Sequence, residues 1–221
     1  MIMLDLLVKS SCGLSRIAHD FDKEVLSFSV LPVEKSFNSI VAFVEVKEKG
    51  QEYNMKSWKK RYNDFASLNW DKISSNGILV RGIKEGHGIV KTIAKYDATL
   101  ITPTIAGDGY ERFLILIKSK KNLDDVVNEI SRNNEIISFN YGEATAKSIL
   151  YWTSKIILDL SGVNNREFEV LYKAYKYGYF SWPREINLEE LSYKINMSQP
   201  TIIYHIRNTI YKILSNILPS S

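Results

Sequence analysis

Gln199, Thr201, Tyr204, His205 and Asn208 recur at spacings that bring five hydrogen-bonding side chains onto the first turns of one helix. Amide, hydroxyl and imidazole groups of this reach suit the donor and acceptor edges of base pairs, and phosphate oxygens as well. Arg207 and Lys212 stand among them, and the stretch from Gln199 onward holds no acid. Arg207 has two readings, a clamp on a phosphate or an ion pair with an acid of the preceding helix. Ser198 offers an N-cap hydroxyl, and Pro200 sits in the first turn, where a missing N–H costs nothing. Arg184, in a loop upstream, either touches a phosphate or fixes its loop by a hydrogen bond. The chemistry implied is recognition rather than bond making.

Two helices must position these groups. Leu188, Leu191 and Ile195 form an apolar face at helical spacing, and Asn196–Met197 interrupt it. Ile202, Ile206, Ile210, Ile213 and Ile217 then recur at three- and four-residue steps, a stripe expected to bury. A short helix, a tight turn and a capped helix is the helix-turn-helix plan. An ordinary helical hairpin packed on a sheet has the same pattern, and residue types alone leave both open. Upstream, residues 166–177 read as a helix with Phe168, Leu171, Tyr172, Ala174 and Tyr175 mostly inward, and Gly178 ends it. Residues 179–185 (YFSWPRE) form an aromatic loop. Tyr179 and Trp182 are expected to plug the core, because a duplex reader has little use for exposed stacking aromatics.

Composition bounds the rest. The chain has 221 residues, 45% of them hydrophobic, enough for a buried core. Its longest apolar run, residues 112–118 (RFLILIK), is a strand's length and far short of a membrane span. No basic leader precedes Asp5, so the expected setting is cytoplasmic, with no membrane partner. Cys12, the one cysteine, excludes internal disulfides and thiolate-only metal sites. A helix start can lower a thiol pKa, but a buried structural cysteine is the simpler reading of Cys12. Net charge is +4 overall, and residues 161–221 hold seven Lys/Arg against five Asp/Glu. This mild bias permits nucleic-acid binding without demanding it. His19, His87 and His205 fall in different elements. No paired carboxylates, nucleophile elbow or metal-ligand spacing occurs, so no catalytic set, metal or cofactor is expected.

The first two-thirds alternate between strand and helix patterns. Strands are read at 2–8, 25–33, 40–46, 77–83, 98–105, 110–118 and 136–139. Helices are read at 13–21, 89–96 and 123–130, the last capped by Asn122. Residues 48–51 read as a polar break. Met55, Trp58, Tyr62, Phe65 and Leu68 suggest a helix over 55–68, with residues 58–62 (WKKRY) as a solvated face around an inward Trp58. The best account is two tandem βαββαβ units of the ferredoxin-like plan. A short echo supports it, residues 17–22 (IAHDFD) against 93–97 (IAKYD). The first unit is the less complete, because residues 50–76 show no clear fourth strand. Residues 149–160 are apolar and fit either helix or strand. The fold class expected is therefore α+β, with a tandem ferredoxin-like region at 1–142, a connector at 143–165 and a helical domain at 166–221.

The segment 166–214 resembles the bacterio-opsin activator-type helix-turn-helix domain of archaeal transcription regulators. The marks are residues 171–180 (LYKAYKYGYF), 182–184 (WPR), 188–198 (LEELSYKINMS), Thr201 and 205–207 (HIR), in order and at near-fixed spacing. Ile206 stands where the family has leucine, and Pro200 where a small polar or basic residue is usual. The resemblance implies a transcription regulator that binds double-stranded DNA. The residues expected to make the contact are Ser198, Gln199, Thr201, Tyr204, His205, Arg207, Asn208, Lys212 and Arg184, and because one such helix reads few base pairs a homodimer is expected. The resemblance also implies an N-terminal regulatory module. The turn at 82–88 (GIKEGHG) loosely resembles that of ACT-type ferredoxin-like domains, where a small effector is held; Gly86, His87 and Gly88 would touch it here. A plain tight turn is the other reading of these residues. The rival functions are an adaptor that binds the basal transcription machinery through the helix pair, and a small-molecule sensor whose helices do not bind DNA.

Overall fold

A computed structural model describes residues 1–34, 36–46, 58–74 and 77–218. The chain divides into two compact units, Met1–Ile149 and Leu150–Ser221. The first is an eight-stranded antiparallel sheet carrying helices. Its elements run β1 (Ile2–Lys9), α1 (Gly13–Phe21), β2 (Val25–Glu34), β3 (Phe37–Glu45), α2 (Trp58–Arg61) and β4 (Phe65–Ser74). They continue with β5 (Gly77–Glu85), α3 (Ile89–Lys95), β6 (Thr99–Gly107), β7 (Tyr110–Ile117), α4 (Lys120–Asn133) and β8 (Ile136–Glu143). The class is α+β, as the sequence implies.

The strand order is β4-β5-β3-β2-β6-β7-β1-β8. In a self-contained βαββαβ unit the first strand lies between the third and the fourth. Here β1 lies between β7 and β8, pairing Leu6 with Phe113 on one side and Phe139 on the other. β5 lies between β3 and β4, pairing Val80 with Ala42 and Trp70. The two repeats have therefore exchanged their first strands. The helices have not moved with them. α1 packs Leu14, Ile17, Ala18 and Phe21 against Ile40, Ala42, Ile78 and Val80. α3 and α4 pack Ile89, Ile93, Leu123, Val126 and Ile130 against Leu4, Leu6, Phe113 and Ile115. The chain crosses between halves at Ser10–Cys12 and again at Gly86–Gly88. The halves meet along a short seam, where Val25, Leu26 and Ser27 of β2 pair with Ala106, Ile105 and Thr104 of β6.

One stretch departs from expectation. Residues 65–74 are a strand, not the end of a helix over 55–68, and they supply the fourth strand of the first repeat. Phe65, Leu68 and Trp70 all pack on the first core. A bulge between Phe65 and Ser67 inserts a residue into the strand, so two inward side chains fall three apart and imitate a helical step. Residues 48–51, Met55 and the Trp58 side chain lie outside what is described. Elsewhere Ser119, not Asn122, caps α4, its hydroxyl accepting from the Asn122 amide. Residues 146–160 form a helix, α5 (Ala146–Leu160).

Candidate nucleic-acid interface

Beyond the greater part of α5, the second unit holds three further helices, α6 (Asn165–Lys176), α7 (Leu188–Ile195) and α8 (Gln199–Ile217). Each starts where a short polar side chain replaces the hydrogen bonds a helix end lacks. Asn164 accepts from the Glu167 amide at 2.9 Å, and Glu167 returns to the Asn164 amide. Asn187 and Glu190 repeat this capping box on α7. Ser198 caps α8 and is hydrogen-bonded to the Thr201 hydroxyl at 2.7 Å. Between α7 and α8, Asn196 takes the left-handed conformation at φ 50° that reverses the chain within three residues. Gly178 does the same after α6 at φ 76°, and a Cβ there would strike the Glu185 side chain. Val170, Ala174, Tyr179, Ile186, Leu191, Ile202 and Ile206 close one core among the three helices.

This frame decides which face of α8 meets solvent. Ile202 and Ile206 are buried, but Ile210 is 38% exposed and Thr209 takes the next inward place. Four-residue steps advance a helix by about 400°, so by Ile210 the stripe has rotated about 80° away from the core, whereas Thr209 returns to it. Thr209 is tolerated there because its hydroxyl donates to the His205 carbonyl at 2.7 Å. The expectation that the whole isoleucine stripe buries therefore holds only for its first half; Leu214 is exposed too, Ile213 is partly buried and the Ile217 side chain is not described.

Gln199, Thr201, Tyr204 and Arg207 are exposed. Arg207 has no ion pair with an acid among the described residues, so that reading of it is not realised. His205 is half-buried, its ring edge against Tyr204 and its Nδ1 without a hydrogen-bond partner. Tyr211, 70% exposed one turn beyond Arg207, continues the same face. Its spacing of seven from Tyr204 was the signal for it, and the sequence reading passed over it. Asn208 and Lys212 turn the other way. Both bind Glu167, Lys212 with 2.8 and 2.9 Å contacts, and Lys212 also reaches the Gly162 carbonyl. They fasten α8 to the start of α6 rather than join the exposed face. Burial is the largest influence on Glu167 and opposes its charge. The hydrogen bonds from Lys212, Asn164 and Asn208 outweigh it, and the carboxyl pKa lies below its usual value.

The loop between α6 and α7 corrects a second expectation. Tyr179 is a core plug, but Trp182 is 97% exposed. The loop is held by its backbone: the Ser181 and Glu185 amides donate to the Gly178 carbonyl, and the Ser181 hydroxyl donates to Glu185. Arg184 is exposed and lies 4.9 Å from the centre of the Tyr179 ring, so it stacks on the loop instead of fixing it by a hydrogen bond. Lys194 covers Tyr177 at the same distance.

In the first unit, the segment Gly86–Gly88 lies between two open clefts of about 270 and 470 Å³. Gly86 donates to the Ser36 carbonyl and Gly88 starts α3 at φ 83°. Cys12 is buried, and burial together with nearby Glu111 pushes its thiol up to about 11, the reverse of an activated thiolate. No group of three metal-binding side chains occurs among the described residues, and no helix is long and apolar enough to cross a membrane.

Residues 164–215 match a family described as the HTH DNA binding domain, the bacterio-opsin activator type. The match begins on the α6 cap and ends within α8, so it covers all three helices of the core. Comparison with curated proteins returns no match.

Proposed function

We propose that this chain, whose residues 164–215 form a helix-turn-helix DNA-binding domain, is a sequence-specific transcription regulator. The observation that carries the reading is the start of α8. A capped N-terminus, exposed Gln199, Thr201 and Tyr204, and an Arg207 unpaired with any described acid project from a rigid three-helix core. A recognition helix enters the major groove by its N-terminal residues. Gln199, Thr201 and Tyr204 read base edges, with His205 beside them, while Ser198 sets the start of the helix. Arg207 and Arg184 neutralise phosphates. Asn208 and Lys212 drop out of the contact set, because Glu167 holds them. One such helix reads few base pairs, so the protein acts as a homodimer on half-sites about 10 bp apart or a multiple of that. Residues 1–142 control it through a small effector or a partner, residues 143–165 connect the two, and the setting is cytoplasmic.

A gel shift on promoter DNA tests this. Gln199→Ala relaxes sequence preference at a cost of about 1–3 kcal/mol on the best site. Arg207→Ala weakens binding evenly across sequences and lowers the salt slope by about one. Unchanged binding by the double variant sinks the groove assignment.

One observation favours a second reading. An almost wholly exposed Trp182 next to Arg184 has the composition of a protein-interface anchor, which suits an adaptor of the transcription machinery. Failure of the full chain to bind any DNA at low salt selects that reading.

A further inference from the structure

Helix α8 is longer than its own core needs. Among the described residues, no apolar side chain of α8 beyond Ile206 belongs to the three-helix core, and Thr209 is the last fully buried position. Lys212 then ties the helix to Glu167 near the start of α6 and to the Gly162 carbonyl before it. Past that tie α8 runs on to Ile217. The side chains it carries into solvent along this length are apolar. Ile210 is 38% exposed, Leu214 45% and Leu218, at the C-cap, 57%, with Tyr211 beside them.

Four-residue steps make Ile210, Leu214 and Leu218 a single ridge along the helix. At about 100° per residue, Leu214 stands about 140° around the helix from Thr209, so the ridge faces away from the core of its own unit. Scattered exposed leucines are ordinary, whereas a continuous apolar ridge marks an interaction surface. Its electrostatics narrow the partner. From Thr209 to Leu218 the one charged residue is Lys212, and Glu167 neutralises it. The ridge offers neither a phosphate nor a strongly charged protein anything to pair with, and two copies of it meet without like charges opposed.

We infer that the ridge Ile210–Leu214–Leu218 is a two-fold interface, on which the same ridge of a second copy packs with its helix antiparallel. The spacing of the reading residues supports that occupant. Ridges of four-residue steps interlock with about 50° between helix axes. Residues 199–205, which carry the proposed base contacts, are centred about 12 residues before Leu214, or about 18 Å along the helix. An antiparallel crossing near Leu214 sets the two reading segments about 33 Å apart, close to the roughly 34–36 Å between major grooves one turn apart. A parallel crossing leaves them about 15 Å apart, too close for two grooves. A few side chains on each copy fall short of the roughly 800 Å² per partner of a stable interface. The dimer is therefore weak in the free chain, and DNA spanning both half-sites completes it. The inference rests on the reading of the chain as a regulator that acts as a homodimer on two half-sites.

The test is sedimentation velocity of the full chain across the micromolar range, with a gel shift on promoter DNA in parallel. The wild type passes from one chain to two as concentration rises. Leu214→Glu, which opposes two carboxylates near the two-fold axis, stays monomeric across that range and weakens binding to promoter DNA at least tenfold. Should Leu214→Glu not fold, Leu214→Cys reads the same contact without adding charge. Cys12 is buried, so the introduced thiol is the accessible one, and mild oxidation links two chains at it. The same oxidation of Tyr193→Cys, at an exposed site on α7, links them at least tenfold more slowly. A wild type that is monomeric throughout assigns the ridge to another occupant and overturns the inference. So does a Leu214→Glu chain that remains dimeric, or equal cross-linking of the two cysteine variants. A dimer that Leu214→Glu dissolves but that binds no DNA removes the regulator and leaves the interface.

Discussion

The two units hold themselves together by different kinds of contact. The helical unit is written largely in near neighbours: its three helix starts are closed by caps three residues apart, at Asn164–Glu167, Asn187–Glu190 and Ser198–Thr201. The sheet unit is written at long range. Arg112 grips Asp5 with two 2.8 Å bonds across 107 positions, and the Gly13 amide reaches Asp64 across 51. Local contacts form with little loop closure, whereas long-range ones can be satisfied by more than one topology of the same sequence. The exchanged first strands are such a case.

The largest effect falls on the exchanged strand. Leu6 is fully buried in the second core between Phe113 and Phe139. Leu6→Ala costs about 3 kcal/mol, the usual range for a buried leucine truncated to alanine. The location of the loosening matters more than its size. Hydrogen exchange should quicken first in the amides of β7 and β8. Had β1 stayed with its own repeat, the change would appear in β3 and β4, and finding it there would remove the exchange.

Exchanged and unexchanged repeats present identical strand and helix patterns, which is why the order of strands was not legible. Short apolar runs in β1 and β7 and helical spacing in α1, α3 and α4 showed the elements themselves, because each packs against a core. β4 was misread because its bulge gave Phe65 and Leu68 a helical step. In the helical unit the order of Leu191, Asn196, Ser198 and Ile202 was enough to place two helices and their turn. The exposed face was legible only in part. Asn208 and Lys212 carry side chains suited to DNA, and nothing nearby in sequence shows that Glu167, more than forty positions away, takes them. Trp182 was assigned to the core on residue type, while the cavity beneath the loop is filled by Tyr179.

That long-range tie within the helical unit is the exception to its local character, and it predicts the next effect. Glu167→Gln removes the charge that holds Lys212 and costs about 2 kcal/mol, the worth of hydrogen bonds to a charged group. The sign of the pH dependence follows from the lowered carboxyl. Because the folded pKa lies below the unfolded value of about 4.3, this stabilisation is complete above that value and is lost as pH falls through the folded pKa. Urea melts at several pH values should show the wild type losing stability on the acid side, and Glu167→Gln should flatten that limb. An unchanged acid limb would place the dependence elsewhere.

The smallest effect separates folding from recognition at a single residue. Ser198 caps α8 and lies at the start of the face assigned to DNA, so Ser198→Ala costs about 1 kcal/mol of stability and weakens DNA binding alongside. Ser198→Asp keeps the cap. Its negative charge at the helix N-terminus contributes about 0.3–1 kcal/mol through the helix dipole. The same charge meets phosphates if α8 enters a groove. Stability and DNA affinity should therefore move in opposite directions in Ser198→Asp and in the same direction in Ser198→Ala. Thermal melts and gel shifts on both variants would show it. If Ser198→Asp binds DNA as tightly as the wild type, the cap is purely structural and the contact surface begins elsewhere on the domain.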